Sequence, residues 1–284
     1  MKSLISGTLV DVSYPSPRGG GLILNIKTEE WHPAIFARRS RRQFDGRPME
    51  PGVLQRLEEV CREFRPFPEA RAVLVSEPPD DILKGAIGSY GKVKGALAYV
   101  AFIGDMDCPS VQEKVGYIGE GVILEATSLG VGTCWVGGFF RPDAVAAQVG
   151  VGEGERVLAV SPLGYAAGRE TFEERIMSGF GVNHRRKPIG EICDGLLEEP
   201  WLRKALEAAR LAPSAVNRQP WRFRLQGRVV TVEVDDLKDT YKISKRLDCG
   251  MAMLHFELGA RHSGVCGEWE FLTAPRVARF AAQV

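Results

Sequence analysis

The 284-residue chain lacks the features that characterise membrane and nucleic-acid-binding proteins. Its apolar runs, of which Ala96–Ile103 is representative, are far shorter than the ~18 residues that a membrane helix needs. Lysine and arginine number 37 against 36 aspartate and glutamate, so the formal net charge is only +1. A nearly neutral chain offers no extended basic surface to a polyanion. We therefore expect neither nucleic acid nor a membrane as a partner.

Paired cysteines and metal-ligand clusters are also missing. The six cysteines form no Cys-x-x-Cys pair and no cluster with histidine, so the sequence predicts no metal site. The first residues show no signal-peptide pattern, because Leu4–Val10 is weakly apolar and interrupted by polar residues. Reduced thiols are typical of cytosolic proteins. We expect a cytoplasmic protein with free cysteines.

Helix and strand patterns alternate along the chain and predict an α+β fold. Apolar residues at helical spacing predict helices over Trp31–Arg42, Pro51–Phe64, Val111–Leu129, Pro200–Leu211 and Asp248–His262. Short apolar or alternating runs predict strands over Ala72–Val75, Ala96–Ile103, Arg156–Val160, Trp221–Leu225, Val229–Val234 and Val265–Phe271, the last of these being the final strand.

The second half of the chain repeats the order of the first. A shift of 134 residues (250 − 116 = 134) aligns six identical residues between positions 116 and 135 and their counterparts: Gly116 with Gly250, Leu124 with Leu258, Ala126 with Ala260, Gly130 with Gly264, Val131 with Val265 and Trp135 with Trp269. Chance similarity between two amphipathic helices is the alternative, but helical periodicity does not demand the shared glycines and tryptophans. We predict an extension over residues 1–28 and two similar halves over residues 29–170 and 171–284.

The first chemical motif is the basic run Arg38–Arg42, which contains Ser40. A guanidinium presents a planar fork of donors that matches the oxygens of a phosphate. If the run is helical, Arg38 and Arg42 lie on one face, four residues apart. A solvated basic face is the alternative reading of this segment.

The second motif is the glycine-rich stretch Gly130–Phe139, which follows the long helix. Glycines let a flat ligand approach the backbone and leave N–H groups free to donate. The stretch has no Gly-Lys-Ser/Thr ending and a helix precedes it, so it is neither a P-loop nor a dinucleotide fingerprint. A simple turn between helix and strand is the alternative.

The third motif is Ala212–Trp221, which joins a predicted helix to a strand. Its Ser, Asn and Gln side chains offer donors and acceptors, which suits the mixed polar edge of a flavin. The alternative is a loop whose polar side chains satisfy their own backbone.

Together the three motifs resemble the FMN-dependent nitroreductase family over roughly residues 33–284. The resemblance rests on Arg-Arg-Ser-x-Arg, on Gly-x-Gly-Thr-Cys-Trp-x-Gly-Gly-Phe, and above all on Pro-Ser-x-x-Asn-x-Gln-Pro-Trp. Members of that family are usually homodimers with FMN at the interface. The basic motif and the glycine-rich loop come from one subunit, and the Pro-Ser-x-x-Asn segment comes from the other.

This chain departs from the usual family order, because each half holds the part that the other lacks. The first half has Cys61–Phe67 where the Pro-Ser-x-x-Asn motif is expected, and the second half has Val265–Glu270 where the glycine-rich loop is expected. The protein resembles a nitroreductase subfamily with this single-chain duplication. The resemblance implies an internal pseudo-dimer that acts as a monomer, with one complete FMN site and one degenerate site.

The resemblance also implies roles for individual residues. The phosphate and ribityl chain would contact Arg38, Arg39, Ser40, Arg42, Arg185 and Lys187; the flavin ring would contact Lys92, Val136, Gly137, Gly138, Pro213, Ser214, Ala215 and Asn217. Lys92 would lie near flavin N1 and O2. A solvated linker is the alternative reading of Arg185 and Lys187. No catalytic side chain is expected, and we interpret Cys134, Glu120 and Glu125 as structural.

The implied activity is FMN-dependent NAD(P)H oxidation, with ping-pong hydride transfer through flavin N5 to a small organic acceptor such as a nitroaromatic or a quinone. Related flavin reductions, reductive dehalogenation and flavin fragmentation stay open within the same fold. The alternative outside enzymology is a non-catalytic FMN-binding or regulatory protein with one eroded site.

Overall fold

The computed structural model describes residues 26–76, 93–138, 140–168, 185–238 and 242–283. The helices are α1 Thr28–Ala37, α2 Pro51–Glu63, α3 Val111–Ser128, α4 Pro142–Val149, α5 Ile189–Ile192, α6 Pro200–Ala209 and α7 Lys245–His262. The strands are β1 Ala70–Val75, β2 Ala98–Asp105, β3 Gly132–Thr133, β4 Glu155–Gly164, β5 Cys193–Asp194, β6 Trp221–Gln226, β7 Val229–Val234, β8 Gly267–Phe271 and β9 Arg276–Ala282. The predicted α+β class is confirmed.

Two sheets repeat one topology. The first has the strand order β1-β2-β4-β3, and the second has β5-β6-β7-β9-β8. If the short parallel strand β5 is left out, the two orders correspond strand by strand: β6 matches β1, β7 matches β2, β9 matches β4 and β8 matches β3. Both sheets are otherwise antiparallel, and each has a register shift at a similar place, between Phe102 and Ile103 in one and between Val232 and Glu233 in the other. This repetition is what a duplicated and fused α+β unit produces.

The central helices α3 and α7 pack against each other and lie almost entirely out of solvent. Their closest approach is made by two glycines. A Cβ on Gly116 would overlap the backbone oxygen of Leu247, and a Cβ on Gly250 would overlap that of Glu113. Gly250 follows Gly116 by 134 residues (250 − 116 = 134), and Leu247 follows Glu113 by the same number (247 − 113 = 134). The two contacts are therefore related by an approximate two-fold axis.

Most of the predicted elements begin and end within a few residues of the observed ones, but two predictions need correction and one helix was missed. The first helix ends at Ala37, not at Arg42, because Arg38 adopts an extended backbone at φ −56° and ψ 129°. The strand β8 is not the last, since β9 follows it and lies between β8 and β7. The helix α4 was not predicted, because its eight residues are rich in alanine and show little polar-apolar contrast.

In the described part of the chain, no helix combines the length and apolar character needed to cross a membrane. Residues 1–25 and Lys92 lie outside the described residues, so the proposed extension and the flavin contact of Lys92 stay sequence predictions. The boundaries of the two halves also stay a prediction.

Candidate functional site

The basic motif lies in an extended segment beside the glycine-rich motif. Ser40 forms a parallel bridge with Thr133, and the backbone N–H of Arg41 donates to the Thr133 carbonyl at 2.7 Å. Thr133 belongs to the strand β3, inside the glycine-rich stretch. Backbone pairing therefore brings together two motifs that are about 90 residues apart in sequence.

The prediction that Arg38 and Arg42 share one helical face is wrong, because the run is not helical. Arg39 contributes to this ending of α1: its guanidinium donates to the carbonyl oxygens of Phe36 at 2.9 Å and Arg38 at 2.7 Å. A cation at the carboxyl end of a helix satisfies carbonyls that have no partner within the helix. The side chain of Arg38 is buried, whereas those of Arg39 and Ser40 are exposed.

The end of the glycine-rich motif meets the second half of the chain. Val136 pairs with Val160 of β4, and its N–H donates to the Val160 carbonyl at 2.8 Å. Gly137 follows and lies against Ile243; a Cβ on Gly137 would come within 3.3 Å of the Ile243 side chain. Gly138 is exposed. The open backbone of this loop thus lies at the seam between the two halves.

The third motif is held at the same seam by Asp248, in the first turn of α7. The Asp248 carboxylate accepts from the backbone N–H of Ala215 at 3.1 Å and from Nε of Arg218 at 2.7 Å. Arg218 also donates to the carbonyl oxygen of Ile243 at 2.9 Å. The residue that contacts Gly137 is therefore fixed directly to the third motif.

The remaining residues of the third motif form a tight loop. Val216, Asn217 and Gln219 all have positive φ values, of 48°, 55° and 48°. The Ser214 hydroxyl accepts from the backbone N–H of Gln219 at 3.0 Å and closes the loop. Ser214, Ala215, Val216, Asn217 and Arg218 are partly exposed, whereas the residues on either side of them in the motif are buried. The partly exposed part of the motif is therefore the turn itself.

Arg186, which the sequence analysis did not select, contacts the third motif. Its guanidinium donates to the side-chain oxygen of Asn217 and, at 3.0 Å, to the carbonyl oxygen of Leu211. Burial, followed by the neighbouring charge of Arg38, lowers the pKa of Arg186 to about 10, and Arg39 contributes in the same direction. Three guanidinium groups therefore interact electrostatically at this site.

The two predicted basic residues on either side of Arg186, Arg185 and Lys187, also contact the third motif. The carbonyl of Arg185 accepts from the side-chain amides of Asn217 at 3.3 Å and Gln219 at 3.1 Å. The Lys187 ammonium donates to the carbonyl oxygens of Arg218 at 3.0 Å and Gln219 at 3.1 Å. Both residues thus hold the loop in place from behind.

Arg38 lies in a region of the site where positive charge is in excess. Burial lowers its pKa from the ordinary value, which means that folding works against its charge. Its Nε is buried and has no hydrogen-bond acceptor among the residues that the structure describes; Glu120 lies 3.7 Å away. A buried guanidinium with an unused donor, beside two further arginines, fits an anion with several oxygens such as a phosphate monoester.

Glu120 is a buried residue whose importance the sequence analysis missed. Its carboxylate accepts from the indole Nε1 of Trp135 at 2.8 Å and lies 2.9 Å from Nε2 of His255. The signal in the sequence was the presence of carboxylates within a long, largely apolar helix, since such groups are rarely buried without partners. Glu125 is likewise buried, and it accepts from Trp31, Lys27 and Arg56.

The pseudo-symmetric region of the second half is filled by aromatic side chains. Phe271 contacts Phe67 edge to face, with ring centroids 5.1 Å apart, and Phe67 contacts Tyr117 at 5.5 Å. The ammonium of Lys114 lies 4.8 Å from the centre of the Phe271 ring. This packing occupies the region that corresponds to the glycine loop of the first half.

Two sequence interpretations of other residues can be compared with their surroundings. The Cys134 thiol is buried and contacts the carbonyl oxygen of Trp135 at 3.7 Å, as expected for a structural residue. Among the described residues, no group of three or more His, Cys, Asp and Glu side chains could hold a metal ion.

Comparison with known proteins finds solved structures with a similar fold. No curated protein matches the chain. A crystal structure from Thermotoga maritima, described as a "putative nitroreductase", covers 93% of this chain and 98% of its own, with a TM-score of 0.60 at 20% sequence identity. At this identity the likeness shows a shared fold.

Two other solved structures match a smaller part. A nitroreductase family protein from Clostridium difficile covers 59% of this chain and 98% of its own at 20% identity, with a TM-score of 0.44. A nitroreductase with bound FMN from Bacteroides fragilis covers 50% and 91%, also at 20% identity, with a TM-score of 0.41. A family model described as "Putative TM nitroreductase" matches residues 30–260, which is most of the sequence, and the chain belongs to that family.

Proposed function

We propose that the chain is an FMN-dependent NAD(P)H oxidoreductase of the nitroreductase type. Membership of the family supports a flavin oxidoreductase. The observation that carries the proposal is the convergence of the three motifs at one seam: Ser40 pairs with Thr133, Gly137 contacts Ile243, and Ile243 is bound by Arg218 of the third motif. Each half contributes what the other lacks, in the arrangement that the resemblance to FMN-binding dimers implies.

We assign the phosphate and ribityl chain to Arg38, Arg39, Ser40 and Arg42, and we add Arg186. The added residue is supported by its hydrogen bond to Asn217 and by the nearby charge of Arg38, which after burial is the largest cause that lowers its pKa. A bound anion would offset the positive charge of these guanidiniums. We also keep Arg185 and Lys187 as proposed phosphate contacts, and both additionally hold the loop that carries Asn217.

We assign the flavin ring to the space between the glycine-rich loop and the third motif. Val136, Gly137 and Gly138 would present backbone to one side of the ring, and Pro213, Ser214, Ala215 and Asn217 would contact it from the other. The absence of side chains on the glycines lets a flat ring approach the backbone. The Lys92 contact with flavin N1 and O2 is retained as a sequence prediction.

When bound, FMN supplies a hydride acceptor at N5 and passes the electrons to a second small molecule such as a nitroaromatic or a quinone. The chain contributes binding, orientation and charge, and no side chain needs to act as acid or base. Since both substrates use one site in turn, we expect ping-pong kinetics. We further propose that the protein works in the cytoplasm as a monomer, because its covalent second half already completes the site.

The proposal is tested by purifying the protein, identifying any released flavin, and adding NADH or NADPH anaerobically while recording the visible spectrum. We expect bound FMN whose visible absorbance is bleached by at least one of the two nucleotides, because the flavin accepts a hydride from it. Bound FMN that no nicotinamide reduces would favour a non-catalytic FMN-binding protein. Colourless protein that does not bind added FMN would contradict the proposal.

A further inference from the structure

A fully buried carboxylate and imidazole meet where the central helices of the two halves cross. Glu120 lies on α3 and His255 on α7, and neither side chain is exposed to solvent. Nε2 of His255 is 2.9 Å from Oε1 of Glu120, and Nδ1 of His255 is 3.1 Å from the carbonyl oxygen of Ala208 on α6. Both ring nitrogens therefore face oxygen acceptors.

This geometry fixes the number of protons. A carbonyl oxygen only accepts, so Nδ1 of His255 must carry a proton. The contact between Nε2 and Glu120 then needs one proton more, because two lone pairs at 2.9 Å repel. The pair is an imidazolium with a carboxylate or an imidazole with a carboxylic acid. Its net charge is zero in both cases.

Glu257 on α7 is a second buried glutamate, and it differs from Glu120 in having a close arginine partner. It accepts from Tyr117 at 2.7 Å and Trp269 at 2.8 Å, and Arg261 lies 2.8 Å away as its counter-ion. Glu120 has a matching tryptophan, Trp135, but its ion pair with Arg38 is longer, at 3.7 Å, and includes no hydrogen bond from Nε. His255, at 2.9 Å, is the closer partner of Glu120.

We propose that Glu120 and His255 share one proton across the two halves, and that this net-neutral pair keeps the positive charge of Arg38 available to the phosphate of FMN. The inference rests on the proposed function, which assigns that phosphate to Arg38. If Glu120 were an uncompensated carboxylate, it would cancel much of the Arg38 charge at short range. His255 and Glu120 are positioning residues here, since neither contacts the proposed ligand directly.

The other charged groups that face the pair do not change this balance. Arg38 and Arg186 are cations of the phosphate site itself, and both are close enough to interact with Glu120. His32 on α1 is close enough to interact with His255, but burial, followed by the neighbouring His262, lowers the pKa of His32 to about 4. His32 is therefore neutral near pH 7 and adds no charge.

The test measures the dissociation constants of FMN and riboflavin for the full chain and for three variants, His255→Gln, Glu120→Gln and the double variant. Glutamine at 255 can still donate to Glu120 but cannot carry a charge. The double variant loses the same hydrogen bond to Ala208, so it is the matched control for folding. Riboflavin lacks the phosphate, so the ratio of the two constants isolates the effect on the phosphate.

We expect His255→Gln to weaken FMN about tenfold relative to riboflavin, because the variant lacks the imidazole that balances Glu120 beside Arg38. Glu120→Gln and the double variant should keep the wild-type ratio. An unchanged ratio in His255→Gln, or an equal loss for both ligands, would overturn the inference.

A second measurement does not depend on FMN. Nitrogen-15 NMR of the His255 ring in the unliganded full chain should show a protonated Nδ1, and an unprotonated Nδ1 would overturn the shared proton. The two proposals fail separately. If Arg38→Ala weakens FMN selectively but His255→Gln does not, the phosphate site stands and the proton-sharing inference fails; if Arg38→Ala affects both ligands equally, the phosphate site fails.

Discussion

Phe271 in the second half aligns with Gly137 in the first, 134 residues earlier (271 − 137 = 134). The two residues differ in what they bring to their surroundings. Gly137 has no side chain and lies beside Ile243, whereas the Phe271 ring packs on Phe67 and near the Lys114 ammonium. The fold therefore has a glycine loop in one half and aromatic packing at its counterpart, which agrees with one complete site in each chain.

The first prediction concerns a bulky side chain in the glycine-rich loop. Gly137→Phe should abolish FMN binding at concentrations that saturate the wild-type protein, because even a Cβ at this position lies within 3.3 Å of Ile243. Phe271→Leu is the control, since hydrophobic changes of similar volume usually cost less than ~1.5 kcal/mol. Fluorescence titration with FMN measures both. Tight FMN binding by Gly137→Phe would show that the flavin lies elsewhere.

The second prediction concerns the phosphate. Arg38→Ala removes a charge-assisted contact of about 1.5–3 kcal/mol, so FMN affinity should fall roughly 10–150-fold. Riboflavin affinity should change far less. Arg62→Ala is the matched control, because Arg62 is exposed and pairs with the neighbouring Glu63 at the surface, where such pairs contribute little. Equal losses for both ligands in Arg38→Ala would remove this residue from the phosphate site.

The sequence predicted the fold class, the duplication and the three motifs, because glycines, polar loop residues and apolar periodicity are local signals. It did not predict that Arg38–Arg42 is extended, since this depends on pairing between Ser40 and the distant Thr133. It also did not select Arg186, because the contacts of its guanidinium with Asn217 and Leu211 depend on the tertiary fold.

The buried polar network was equally inaccessible to sequence reasoning. Glu120 and His255 are 135 residues apart, and neither lies in a recognisable motif. The repeat between the two helices did contain a hint, because Gly116 and Gly250 align and allow the helices to approach closely. Only the packed structure shows which polar side chains that approach brings together.

The third prediction tests this packing. Gly116→Ala should lower the free energy of unfolding by at least ~1–3 kcal/mol, because its Cβ would overlap the Leu247 backbone oxygen and neither helix can move away easily. Gly52→Ala in α2 is the control, because nothing lies within 4 Å of its Cβ position and alanine favours helix. Urea unfolding of both variants measures the difference. A Gly116→Ala protein as stable as Gly52→Ala would contradict the close helix contact.

The fourth prediction is a pH dependence of stability. Burial, followed by His262, lowers the pKa of His32 from 6.5 to about 4 in the folded protein. Between these pH values the unfolded chain binds more protons, so the His32 contribution to stability is present above about pH 6.5 and is lost as the pH falls towards 4. His32→Gln should flatten the change in Tm over this range. An identical pH profile of Tm for the variant and the wild type would show that His32 is not responsible for the change.

Native mass spectrometry of the full chain tests most directly whether one FMN binds between the fused halves of a monomer. The spectrum of the 31.2 kDa protein with excess FMN should show one chain carrying one FMN, with no increase in oligomeric state on binding. Flavin should be retained on dilution, since the tethered half is present at an effective concentration in the mM range or above. Two FMN molecules on each chain, or FMN found only on dimers, would contradict the single site completed within one polypeptide.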